Sequence, residues 1–393
     1  MIPAIDLSKE YGLVLEGGGA KGAYQIGVWK ALREAGVKIK GIAGTSVGGL
    51  NGAFICMGDY EQAENIWSNL TYSHIMNVED EIMADMLKGK LALGDAVSAM
   101  MEFLKNGGVD VTPLKEMIAE YIDPEVIRNS PMDLYVMTFN VDTMKEEKIN
   151  VKEVPVEIMR DYFLATAYMA PVFKTEPLHG VHYIDGGAAN NVPVDALLED
   201  DYKDLIVVRI YGVGVTKKTT IPEDVNIIEI APKKSLGSIM EFDGKKSRLN
   251  IARGYMDAMR VLYDLDGHIY AIDENRPEGY YLKQLLQIQG EVKEEILARY
   301  NMSGKANLWE RCMTERILPG IAAELKLGTS WTYKELYLAM LEATAKMCRV
   351  TKNRVYTARE LLEAIQKKKV LLDKQEKPPV FVIMMQYMIQ AVE

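Results

Sequence analysis

Gly44-Thr45-Ser46-Val47-Gly48 reads Gly-x-Ser-x-Gly, the spacing of a nucleophile elbow. A serine on a sharp strand-to-helix turn holds its hydroxyl out from the backbone, and the flanking glycines let the turn pass close to neighbouring chain. A second group lies upstream, in Gly17-Gly18-Gly19-Ala20-Lys21-Gly22. Three chemistries use such a loop. Gly17, Gly19 and Gly22 satisfy the dinucleotide spacing, but that reading needs an acid at the end of the next strand, where Gly44-Thr45-Ser46 stands instead. A phosphate-binding loop needs Gly-Lys followed by Ser or Thr, and Gly22 is followed by Ala23. The third is an oxyanion hole, with the amides of Gly18 and Gly19 turned toward the carbonyl oxygen of a group attacked by Ser46. Donors fixed in this way typically lower a barrier by about 3 kcal/mol each. Lys21 would hold the loop or add positive potential. A third group, Asp185-Gly186-Gly187, is by itself only a turn signal. It gains meaning if a strand delivers Asp185 to the sheet edge that carries the elbow.

The elements that must position these groups are legible around them. Tyr11 to Leu15 is an apolar run that reads as a buried strand, and Ala23 to Ala35 as a helix closed by Gly36. Lys38 to Ala43 reads as a strand and Val47 to Ile55 as a buried helix. A helical pattern runs from Asp59 to Glu102, and a loop follows at Asn106 to Asp110. Thr112 is the expected N-cap of the next helix, with Pro113 at its first position. Met132 to Asn140 predicts a strand, Ile158 to Met169 a helix, and Val181 to Ile184 a short strand ending in Asp185. A turn at Asn190 and Asn191 leads to a helix with Pro193 near its start. Leu205 to Tyr211 and Val225 to Ala231 are further β-rich runs, and Ser238 to Leu262 is mostly helical.

Composition bounds the function class. The chain has 393 residues, 48% hydrophobic and 26% charged, enough for a real core and more than one domain. A formal charge of −10 argues against a broad nucleic-acid surface. Cys56, Cys312 and Cys348 are too few and scattered for a disulfide framework or a zinc site. His179 and His182 make the one His-x-x-His spacing, and no metal or cofactor is expected. Met1 to Glu10 lacks the pattern of a signal peptide, and no apolar run approaches a membrane span. Val380 to Met388 is too short to span and reads as a buried strand or helix. A soluble, cytoplasmic protein that touches membranes transiently is the expectation.

Taken together, the three motifs in this order resemble the patatin-like phospholipase family. The likeness extends to Ala167 to Phe173, to Asn190-Asn191-Val192-Pro193-Val194 and to Gly254-Tyr255, and so covers residues 8–266. Glu16 departs from the aspartate common before the glycines, and a role in loop geometry is expected for it. The resemblance implies an α/β fold of three layers around a central, mostly parallel sheet. It implies a lipid acyl hydrolase that uses a Ser-Asp dyad without a catalytic histidine. Ser46 would be the nucleophile and Asp185 the base. Gly18 and Gly19 would supply the oxyanion hole, with the amide of Val47. Gly17, Lys21, Gly22, Gly44, Gly48, Gly186 and Gly187 would support the motifs. The implied partners are a lipid or phospholipid substrate and the surface of a membrane.

Two rival readings differ in chemistry. A Ser-His-Asp enzyme needs a histidine after the acid, for which His268 is the candidate, and an oxyanion loop of another type. An inactive lipid-binding scaffold needs no intact motifs, yet all are intact. Residues 267–393 fall outside the resemblance and form a mainly helical C-terminal region. Tyr280 to Tyr300, Thr332 to Met347 and Thr357 to Lys368 carry helical patterns, the last opened by a Thr357–Glu360 capping box. These helices are candidates for a lid, an oligomer contact or a sensor. Lys367-Lys368-Lys369 reads as a solvated helix end.

Overall fold

The computed structural model describes residues 2–87 and 107–390. It divides into two compact units, Ile5–Leu262 and Tyr263–Glu393 with Met1–Ala4.

The first unit is built on a seven-stranded sheet in the order β4-β3-β2-β1-β6-β7, with β5 also paired to β3. The strands are β1 (Glu10–Leu15), β2 (Lys38–Thr45), β3 (Asp133–Asn140), β4 (Lys145–Asn150), β5 (Tyr183–Asp185), β6 (Asp204–Val208) and β7 (Asn226–Ile230). Five run parallel, and β4 and β5 are antiparallel to β3. Residues Tyr11 to Leu15 of the central strand β1 are all buried, which is why that strand is continuously apolar rather than alternating.

The helices are α1 (Ala23–Ala35), α2 (Val47–Met57), α3 (Tyr60–Asn69), α4 (Asp80–Leu87), α5 (Thr112–Tyr121), α6 (Pro124–Asn129), α7 (Val156–Thr166), α8 (Val194–Leu198) and α9 (Gly244–Tyr263). On one face of the sheet α2 lies so close that its Gly49 and Gly52 meet Val136, Leu134 and Ile42. On the other face Val14, Ala43, Tyr135, Met137, Leu205 and Val207 bury Ala196 and Leu197 of α8. The result is an α/β fold of three layers.

Several expectations shift. α5 starts at Thr112 itself and Val111 is its N-cap, because the Thr112 hydroxyl is spent on the Asp110 carboxylate at 2.7 Å. The strand before Asp185 shortens to three residues. β4 was not predicted, since Lys-Glu-Glu-Lys-Ile-Asn lacks an apolar face; it is an edge strand, where charge is tolerated. The helical pattern over 59–102 holds for α3 and α4 but breaks over 70–79, where Leu70 leaves the helix in an extended conformation and only a 3-10 turn at Tyr72–His74 forms; 88–102 lies outside the described residues, as does Asn106.

The second unit is helical apart from a two-stranded parallel pair, β8 (Ala271–Ile272) and β9 (Val355–Tyr356). It contains α10 (Glu278–Leu286), α11 (Gly290–Arg299), a helical run over 309–324 with a π turn at Met313–Ile317, α12 (Tyr333–Met347), α13 (Ala358–Gln366), α14 (Val370–Asp373) and α15 (Val380–Gln390). Thr332 with Glu335 and Thr357 with Glu360 form capping boxes on α12 and α13. Val380 to Met388 becomes the buried helix α15. Its core is separate, running through Tyr281, Leu297, Leu336, Leu341, Leu361 and Val382. The buried Glu342 carboxylate accepts the amides of His268, Ile269 and Tyr270 at 2.6–3.0 Å. Among the described residues, no helix is long and apolar enough to cross a membrane.

Candidate active site

Ser46 sits between β2 and α2 with φ 55° and ψ −126°. A non-glycine residue held in such a conformation costs about 1–3 kcal/mol, which surrounding structure must offset. Here it does so from several sides. The Ser46 amide donates to Thr166 Oγ1 at 2.8 Å, and the Thr166 hydroxyl donates to the Met137 carbonyl. The Thr45 hydroxyl donates to the Asn190 carbonyl at 2.8 Å. Gly44 and Gly48 make the turn possible. A Cβ on Gly44 would fall on the backbone of Gly48, and one on Gly48 would fall on the Leu15 carbonyl.

The register of β3 brings Asp185 to this serine. β4 runs along one edge of β3, leaving the other to be shared by β2 and β5. Thr45, the last residue of β2, pairs with Met137; Asp185, the last of β5, pairs with Thr138. The two strands therefore meet end to end along one neighbour, and their terminal residues face each other. The Ser46 hydroxyl lies beside the Asp185 carboxylate, where it favours the charged form. The carboxylate accepts the Gly187 amide at 2.7 Å, and the Asp185 amide donates to the Tyr168 carbonyl at 2.8 Å. Desolvation raises the Asp185 pKa from the ordinary aspartate value to about 6, with the Ser46 hydroxyl and the Gly187 amide opposing it.

The glycine loop lies beside this pair. Gly17 is committed: its amide donates to the Asn191 carbonyl at 3.1 Å and its carbonyl accepts Asn191 Nδ2 at 3.0 Å. Gly19 has φ 54°, and its carbonyl side opens a 3-10 turn through Gly22. Among the described residues, the amides of Gly18, Gly19 and Val47 have no hydrogen-bond partner. The buried Glu16 carboxylate receives Arg209 Nε at 2.9 Å and the amides of Ile210, Tyr211 and Gly212 at 2.7–3.1 Å. Its role is loop geometry, as expected. Lys21 Nζ donates to the Tyr211 carbonyl from the other side, and burial lowers its pKa. Gly22 packs under Val47 and Trp67, and Gly186 against the Met137 carbonyl.

Two cavities open at Ser46 and Gly19. One is walled by Leu50, Phe54, Trp67, Leu114, Phe173 and Phe242, and is apolar but for Ser46 and Asn51. The other combines Asp185, Asn191 and the backbone of Gly18, Gly187 and Gly214 with apolar walls at Met169, Ile184, Val213 and Ile239. Asn51 is fully engaged: it donates to the Gly22 carbonyl at 3.0 Å and Gln25 Oε1 at 2.8 Å, and accepts Trp67 Nε1 at 2.9 Å. The roles of Thr166, Asn51 and the Asn191 clamp were not predicted. Thr166 touches an amide 120 residues away in sequence, so no local pattern signals it.

The remaining histidines make other contacts. His179 pairs with Asp161 at 2.7 Å and His182 with Asp142 at 3.0 Å, so the His-x-x-His residues face different carboxylates. His268 lies in the second unit, its amide on Glu342. The three cysteines are free and buried.

Residues 13–198 match the family model for patatin-like phospholipase. The chain thus carries a domain of the patatin-like phospholipase family. It is 25% identical over 76% of its length to neuropathy target esterase sws of Drosophila melanogaster, covering 20% of that protein. It is 26% identical over 50% of its length to patatin-like phospholipase domain-containing protein 7 of Rattus norvegicus, covering 13% of it. An uncharacterized NTE family protein of Mycobacterium tuberculosis is 25% identical over 53% of the chain, which covers 32% of that relative. The chain therefore spans less than a third of these relatives' lengths. Among solved structures, VipD from Legionella pneumophila aligns over 97% of this chain and 91% of its own, at 13% identity and a TM-score of 0.42, too low to carry an argument.

Proposed function

We propose that this protein is a lipid acyl hydrolase that cleaves fatty-acyl esters through a Ser46–Asp185 dyad. The observation that carries the reading is the placement of Ser46, on a strained turn, beside the half-buried Asp185 carboxylate and at the mouth of an apolar cavity. The family domain and the esterase and phospholipase names of the relatives support the class of substrate. Asp185 takes the Ser46 proton as the oxygen attacks the ester carbonyl carbon. The free amides of Gly18, Gly19 and Val47 receive the negative charge that develops on the carbonyl oxygen. The proton passes from Asp185 to the departing alkoxide, leaving an acyl-serine. Asp185 then takes a proton from water as that water attacks the acyl carbon, and returns it to Ser46 as the fatty acid leaves. The acyl chain occupies the first cavity and the alcohol portion the second, which holds the Asp185 and Asn191 side chains.

The test is fatty-acid release from a panel of phospholipids, lysophospholipids, neutral glycerides and short acyl esters. Wild type is run beside Ser46→Ala and Asp185→Asn, with a fluorophosphonate probe for Ser46. The expected result is probe labelling of wild type only and a loss of at least about a hundredfold in both variants. A His268→Ala enzyme that loses activity as fully as Ser46→Ala would favour the triad instead.

A further inference from the structure

We infer that the loop over 211–221 is a lipid-docking surface that seats the catalytic face on a membrane. The inference rests on the lipid-hydrolase reading for its purpose, but not for its evidence. Thirteen large apolar side chains stay exposed among the described residues, and four of them, Tyr211, Val213, Val215 and Ile221, fall within these eleven residues. Single exposed apolar residues are ordinary; a cluster on one short loop is not. Val213 is 75% exposed and Val215 52%.

The loop is not exposed through looseness. At one end Glu16 binds the amides of Ile210, Tyr211 and Gly212, and Lys21 binds the Tyr211 carbonyl. Further on, the Val215 amide donates to the Gly187 carbonyl at 2.8 Å and its carbonyl accepts the Asn191 amide at 2.7 Å. Both attachments are to the segments that carry the oxyanion amides and Asp185. The backbone is fixed while the side chains at 211, 213 and 215 point to solvent, an arrangement that holds apolar groups out of the core. Val213 and Gly214 also line the second cavity, which opens on Ser46. An apolar surface seated there brings a lipid to the serine.

Charge selects the occupant. The segment over 211–221 holds two lysines and no acid, in a chain of net charge −10. Lys217 is paired to Glu146 and to Asp195. Lys218 is exposed beside it and faces anionic headgroups. Of the two acids directly beyond Pro222, Asp224 is paired to Lys203 at 2.9 Å and Glu223 is exposed, five residues along the chain from Lys218. Apolar side chains flanked by a cation match an anionic lipid interface.

The experiment uses the full chain bearing Ser46→Ala, so that vesicles are not consumed. Co-sedimentation is measured with vesicles of phosphatidylcholine alone and of phosphatidylcholine with phosphatidylserine at four to one. Val215→Ser with Ile221→Ser is expected to weaken partitioning on both by about tenfold. Lys218→Glu is expected to weaken it by several-fold only where phosphatidylserine is present. The same loop substitutions in the chain with Ser46 intact leave cleavage of a dissolved short-chain ester and the melting temperature unchanged. Partitioning that ignores both sets of substitutions, or no binding to either vesicle, overturns the inference. Loop-dependent binding with no ester cleavage would sustain the docking surface and overturn the hydrolase reading instead.

Discussion

Asp185 must be ionised to act as a base, and its pKa of about 6 makes its charge a function of pH. The sign follows. Below about 6 the carboxyl is protonated and cannot accept the serine proton, so kcat/KM is expected to fall on the acid side with a midpoint near that value. Above it the rate should level off. A rate flat from pH 5 to 8 would remove Asp185 from the base role. Stability runs the other way. A folded-state pKa raised above the unfolded value gives stability that is full below about 4 and lost as pH rises through about 6. The functional state of this residue is thus the one the fold favours less. Ser46 repeats the pattern in its backbone: a φ of 55° is tolerated because Thr166, Thr45 and two glycines hold the turn from every side.

At the scale of elements, α1 and α9 cross in direct backbone contact. A Cβ on Gly27 would fall on the Ile251 carbonyl oxygen, and a Cβ on Gly254 on that of Tyr24. Gly254→Val is expected to lower the melting temperature by about 5 °C through overpacking. An unchanged melt would mean that the two helices slide apart at no cost. Gly254 stood out in the sequence only through a family likeness; its physical reason is a partner more than 200 residues away. The same division runs through the fold. Runs such as Tyr11 to Leu15 declared themselves as strands because burial on both faces leaves one apolar signature. The Ser46 turn declared itself because a strained bend needs Gly44 and Gly48. β4 did not, because an edge strand needs no apolar face. Nor did the direction of β5, which follows from pairing with β3 rather than from its own three residues. Thr166 and Asn51 were illegible for the same reason: a buried hydroxyl or amide takes its meaning from partners distant in sequence.

At the scale of the molecule, the two units hold separate hydrophobic cores, one on a sheet and one among helices. Each buries a carboxylate that gathers backbone amides, Glu16 in the first and Glu342 in the second. Thermal unfolding is expected to resolve two transitions by calorimetry. Covalent capture of Ser46 by a phosphonate should shift one and leave the other in place. A single transition that moves as a whole on labelling would mean that the units unfold as one.

Because Ser46 stands between two cavities, one of them carrying Asp185 and Asn191, the two products of the proposed reaction would have different ways out. On that scheme the alcohol would leave first, past Asp185, and the attacking water would enter the space it vacates. The fatty acid is freed last, with its tail still among Phe54, Trp67 and Phe173. On that scheme turnover would be governed by how readily that tail is drawn out, and added free fatty acid is expected to compete with substrate in the release assay, making the product a brake on its own formation.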